Sequence, residues 1–144
     1  MRNILIISIV INLFFSISFG ADESFNVSII ISAPIAIAED QGLNFGSFET
    51  SNSAQNIVVE PGDLGSAQFD IAGNEVAATW SIAENSIDMI SGTDTIRVNS
   101  FKVSGGGSGN LPQENVRVGA TARIKSKQPP GTYIGTATFN VVYN

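Results

Sequence analysis

Any reaction carried out by this chain of 144 residues must rest on 13 Asp and Glu, seven Lys and Arg, and hydroxyl groups, because it contains no His and no Cys. That inventory rules out a Ser-His-Asp or Cys-His nucleophile, zinc sites of the usual ligands, a CxxC redox pair and disulfides. No Ser-x-x-Lys pattern offers a Ser-Lys nucleophile. The adjacent acidic pairs Asp22-Glu23 and Glu39-Asp40 are the candidates for glycoside-type acid–base chemistry. Consecutive residues of a strand point to opposite faces, however, and cannot flank one bond. Gly105 to Gly109 has neither the Lys-Ser/Thr ending of a P-loop nor dinucleotide-fingerprint spacing, and reads as a flexible hairpin loop. Asp88 and Asp94 lack EF-hand spacing. The residue types therefore predict no enzyme, no cofactor and no metal. A formal charge of -6 argues against nucleic acid as a partner.

Apolar binding chemistry is what remains. Near one end Phe25, Val27, Ile29 and Ile31 form a comb on one strand face, opposite Asn26, Ser28 and Ile30. Near the other, Tyr133, Gly135, Ala137, Phe139, Val141 and Tyr143 alternate with Thr132, Ile134, Thr136, Thr138, Asn140 and Val142. Ends of domains fray unless something ties them down, so two such regular combs imply a partner for each.

The elements that must position them are almost entirely of period 2, the alternation of a half-buried strand. Before them, Arg2 and the apolar run from Ile4 to Phe19 lead into Gly20-Ala21-Asp22-Glu23. This is the three-part pattern of a secretory signal, with cleavage expected after Gly20, and it is shorter than the roughly 20 apolar residues of a membrane span. The pattern predicts an exported protein. Such a cysteine-free exported domain must hold its fold by packing alone.

Expected strands are Phe25 to Ile31, Ile35 to Ile37 after Pro34, and Leu43 to Phe48, with Gly46 marking a bulge. Ile57 to Val59, Ala67 to Ile71 and Ala78 to Ile82 follow, separated by Pro61-Gly62-Asp63 and Gly73-Asn74. From Thr95 to Val103 the phase slips near Asn99-Ser100, which predicts a bulge. Val118, Ala120, Ala122 and Ile124 turn inward, opposite Arg117, Thr121, Arg123 and Lys125. Pro129-Pro130-Gly131 then leads into a last strand, Thr132 to Tyr143. Eight or nine short strands with these turn signals predict an all-β fold, an immunoglobulin-like antiparallel sandwich, with Trp80 filling its core.

Gly131 stands fourteenth from the end and Tyr143 is penultimate. This resembles the terminal signature of chaperone-usher pilus subunits. Phe25 to Ile31 followed by Leu43-Asn44-Phe45-Gly46 is similar to the donor strand and LNFG segment of archaic pilins and spore-coat-U-like domains. Together with Gly131-Thr132-Tyr133-Ile134-Gly135-Thr136, the pattern also resembles a bacterial family of small secreted proteins, the domain of unknown function 4402. Many archaic-type subunits carry a disulfide that this chain lacks.

The resemblance implies an incomplete sandwich at residues 33–144, with residues 21–32 as a donor extension. Phe25, Val27, Ile29 and Ile31 would enter the groove of another subunit. Gly131, Tyr133, Phe139, Val141 and Tyr143 would belong to the strand bordering the acceptor groove. It further implies other copies or related pilus subunits as partners, with a periplasmic chaperone and an outer-membrane usher. The alternative is a self-contained secreted sandwich whose N-terminal comb pairs within its own chain. Its loops, Glu84 to Asp94 or Gly105 to Gln113, would bind a host or surface ligand. An outer-membrane barrel would need strands of about ten residues with aromatic girdles, and several candidates here are shorter.

Overall fold

Alternating apolar residues bury one face only if a second layer covers it, and two packed sheets meet that need here. The computed structural model describes Asn26, Ser28, Ile29, Ile31 and residues 33–144. Nine strands occur among them: β1 (Ala36–Gln41), β2 (Gln55–Val59), β3 (Ala67–Ala72), β4 (Ala77–Ile82), β5 (Ser86–Ser91), β6 (Asp94–Val103), β7 (Ser108–Asn110), β8 (Gln113–Ile124) and β9 (Phe139–Tyr143). All their pairings are antiparallel. The larger sheet runs β1-β3-β8-β6-β5, with β2 also on β8, and the smaller runs β7-β4-β9. This is the all-β, immunoglobulin-like sandwich expected from the alternation.

The 12-residue strand β8 is the spine. β3 lies along its first half, with Ala67 opposite Val118, and β2 continues on the same edge, with Val59 opposite Ala120. At the junction a Cβ on Gly119 would collide with the Val59 carbonyl and the backbone of Glu60 and Pro61. Glycine is required there by close approach of the chain.

Two apolar clusters fill the interior. Ile71, Ala78, Trp80, Leu111 and Val116 are buried between the sheets, with Ile35, Phe139, Val141 and Tyr143 packed at their margin. Ile96, Val98, Ala120 and Ala122 form the second, covered by Leu43, Phe45, Ile87, Met89 and Tyr133 among others. Trp80 is only 5% exposed, as a core filler must be. In β6 the register shifts between Asn99 and Lys102, where Ser100 adopts a φ of 55°, so both Val98 and Phe101 face inward across the expected slip.

Several expected elements differ. Leu43 to Phe48 forms no strand. Its alternation is met instead by Leu43 and Phe45 packing onto the second cluster without a ladder. The segment read as Ile35 to Ile37 extends to Gln41. Glu84 to Asp94 is not an open loop, since β5 occupies Ser86–Ser91. The Gly105 to Gly109 stretch splits into a tight turn, with Gly105, Gly106 and Gly107 at φ near +70°, and strand β7. The last strand is regular only over Phe139–Tyr143, preceded by a single bridge between Ile134 and Ile90. Of the expected first strand, Phe25 and Val27 lie outside the described residues. Asn26, Ser28, Ile29 and Ile31 belong to no strand.

Candidate functional site

Among the described residues β9 pairs with β4 alone, from Ile82 opposite Phe139 to Ala78 opposite Tyr143. Just beyond these ends, the Asn144 amide donates to the Ala77 carbonyl (3.0 Å) and the Ala83 amide to the Thr138 carbonyl (2.9 Å). In an antiparallel pair, residues facing the partner with their N–H and C=O alternate with residues facing away. Asn140 and Val142 therefore serve β4. Phe139, Val141 and Tyr143 turn three N–H and three C=O groups to an edge that has no strand partner among the described residues.

The same three residues carry the inward side chains, and each is only half-buried. The Phe139 ring stacks on Phe69 of β3, centroids 4.4 Å apart and planes 6° from parallel. The neighbour of β3 is β1, the outer strand of the larger sheet. Ile37 of β1 stands opposite the buried Ile71 on the inner face, yet remains 43% exposed. Among the described residues the sandwich is thus open along one flank, between the outer edges of β1 and β9. All six residues of β1 are exposed. Beside its end a depression of about 840 Å³ opens among Gln41, Leu43, Asn44, Phe45, Val59 and Leu64.

Both ends of β9 are anchored by side chains. The Glu84 carboxylate accepts the Thr138 amide and hydroxyl, each at 2.8 Å. Those bonds, the amide first, hold the Glu84 carboxyl below the usual carboxylate range. At the other end the Tyr143 hydroxyl donates to the Ala33 carbonyl (2.8 Å) and accepts from the Asn74 amide (3.1 Å). This ties the segment entering β1 to the end of β9.

Gly131 and Tyr133 belong to the approach rather than to the open edge. A Cβ on Gly131 would press into Ser91. Tyr133 is half-buried against the second cluster, where its hydroxyl donates to the Pro129 carbonyl (2.8 Å) and accepts from Gln128 Nε2 (2.9 Å). The structure therefore gathers Phe139, Val141 and Tyr143 at one edge and sets Gly131 and Tyr133 beside β5. Ile29 and Ile31 are 84% and 83% exposed. Sequence reading missed β1 as the second border of the opening and Glu84 as an anchor. A lone carboxylate gives no signal of its distant partner.

A family model described as a domain of unknown function (DUF4402) matches residues 35–143. The chain belongs to this family. The match begins at the residue before β1 and ends at the last residue of β9, so it spans both borders of the open flank. No curated protein and no solved structure matches the chain.

Proposed function

We propose that this DUF4402 chain is the structural subunit of a bacterial surface fibre. It is exported through its N-terminal signal and polymerised by strand donation. The observation that carries this reading is the outer edge of β9, where backbone groups without a strand partner among the described residues coincide with half-buried Phe139, Val141 and Tyr143. An incoming strand would pair with those N–H and C=O groups and lower alternate side chains onto the exposed margin of the core, the mode known as β-strand addition. Phe25, Val27, Ile29 and Ile31 of another copy have the required alternation. The exposure of Ile29 and Ile31 leaves them available.

Burying four such side chains gains roughly 1.5–3 kcal/mol each before ordering costs, enough for a long-lived link. Donor and acceptor are different surfaces, so the contact is head-to-tail and extends into a filament. Until a partner arrives, an open edge beside apolar surface invites aggregation, and a periplasmic chaperone that lends a strand would cover it. The role is non-enzymatic.

Unboiled gel electrophoresis of the exported protein tests the reading. A detergent-resistant ladder is expected, lost on deleting residues 21–32 and on Ile29→Asp, which would place a charge in an apolar groove. A ladder that persists without residues 21–32 overturns it. So does a single compact species at high concentration.

A further inference from the structure

Six of the seven cations of this acidic protein fall between Arg97 and Lys127, on β6, β8 and the turn that follows. On the outer face of the larger sheet the strand registers place four residues in one row across four strands. Asp88 stands opposite Arg97, Arg97 opposite Arg123, and Arg123 opposite Asn56. Two guanidinium groups thus start from directly opposed positions on neighbouring strands, an arrangement that like charges make unfavourable. Only one of them is neutralised. The Asp88 carboxylate takes Arg97 in a two-pronged pair at 3.0 and 3.2 Å. Among the described residues Arg123 makes a single side-chain hydrogen bond, Nε donating to Asn99 Oδ1 at 3.3 Å. Lys125, two residues further along the same face, forms no ion pair among the described residues.

These side chains surround a depression of about 470 Å³, lined by Asn56, Asp88, Thr95, Arg97, Arg123 and Lys125 among others. Three cations against one carboxylate leave an excess of two positive charges around it. A guanidinium offers five N–H donors and an ammonium three. Most of those on Arg97, Arg123 and Lys125 are therefore unused, while Thr95 and Asn56 add neutral polar groups at the rim. Adjacent strands lie about 4.8 Å apart, close enough for one tetrahedral oxyanion to accept from both arginines.

We propose that this depression binds a compact dianion, a phosphate or sulfate group free or esterified to a small molecule. A long polyanion fits poorly, because three cations can neutralise few of its charges while the rest of this acidic surface repels it. The site lies on the outer face of the sheet, away from the open flank between β1 and β9, and does not depend on strand donation.

The test uses the full chain at constant ionic strength, adjusted with sodium chloride. Inorganic phosphate, sulfate, a hexose 6-phosphate and the unphosphorylated hexose are titrated while Arg side-chain NMR signals and the thermal midpoint are followed. Expected are saturable shifts at the Nε of Arg97 and Arg123 and a raised midpoint with the oxyanions but not with the hexose. Affinity should fall about tenfold or more in Arg123→Gln, and stay unchanged in Lys102→Gln, whose lysine is already paired with Glu60. Without ligand, Arg123→Gln should melt no lower than the native chain, because a like-charge contact is relieved. Should it fail to fold, Lys125→Gln serves in its place. Tighter binding of the hexose 6-phosphate than of inorganic phosphate identifies an esterified ligand, and equal binding a free oxyanion; both uphold the site. Equal affinity in the native chain and the variants, or a response no larger than that to chloride, overturns it.

Discussion

At the scale of single residues, two carboxylates report on the strands they hold. The Glu84 carboxyl is lowered chiefly by the Thr138 amide, and that of Asp88 by the hydrogen bonds from Arg97. A carboxyl whose pKa is lower in the folded than in the unfolded chain adds stability that is complete above its unfolded value, about 4 for Asp and Glu. That stability is lost as pH falls through the lowered folded value. Thermal midpoints should therefore be flat from neutrality to about pH 5 and drop below about pH 4. Glu84→Gln should make that drop shallower, and a series of melts at stepped pH measures it. Packing positions respond through a different cause. Trp80→Ala should cost about 3–5 kcal/mol by opening the core. Gly119→Ala should cost on the order of 1–3 kcal/mol, through overlap with the chain leaving β2. Urea unfolding followed by Trp80 fluorescence reads the glycine variant, and circular dichroism the tryptophan one.

Individual strands show why the two faces of β9 can be told apart. The N–H of Val142 serves β4, whereas that of Val141 faces outward. Proline is tolerated on an edge strand only where its missing N–H would face solvent. Val142→Pro should thus remove a ladder hydrogen bond at a cost of about 1–3 kcal/mol, while Val141→Pro should leave a folded domain and abolish uptake of a strand. Chemical denaturation and the unboiled-gel assay distinguish the two. The same physics explains how much of the architecture the sequence disclosed. Strands that bury one face in a ladder, such as Ala67–Ala72 and Gln113–Ile124, carry their alternation openly. The slip in β6 was visible because Val98 and Phe101 are out of phase yet both inward. Leu43 and Phe45 alternate equally well, but periodicity reports burial and not hydrogen bonding, so a packed loop passed for a strand. β5 hid because Ile90, on its outer face, is as apolar as the inward Ile87 and Met89. Of the site, the comb at Phe139, Val141 and Tyr143 was legible. The unpaired edge beside it was not, because pairing belongs to the register of two strands and not to either sequence.

For the whole molecule, the flank between β1 and β9 has no covering strand among the described residues. A ligand that binds only the native state raises its stability by RT ln(1 + [L]/Kd). A synthetic peptide of residues 21–32, added to a domain lacking them, should raise the thermal midpoint in a concentration-dependent way. The Ile29→Asp peptide should not. Differential scanning calorimetry at rising peptide concentration makes the comparison. The charge layout contributes on the same scale. With a formal charge of -6 on each copy, like-charge repulsion is least screened at low salt, so copies should associate more slowly there than at high salt.

The smaller sheet has a timing built into its connectivity. β4 sits between β7 and β9, yet β9 is supplied by residues 139–143, some sixty positions later. Until those residues emerge during synthesis, one side of Trp80's strand has nothing to zip against. The smaller sheet therefore closes only once Phe139 to Tyr143 are available to pair with β4. A nascent chain stalled before Phe139 should still bind a hydrophobic dye that the finished protein excludes.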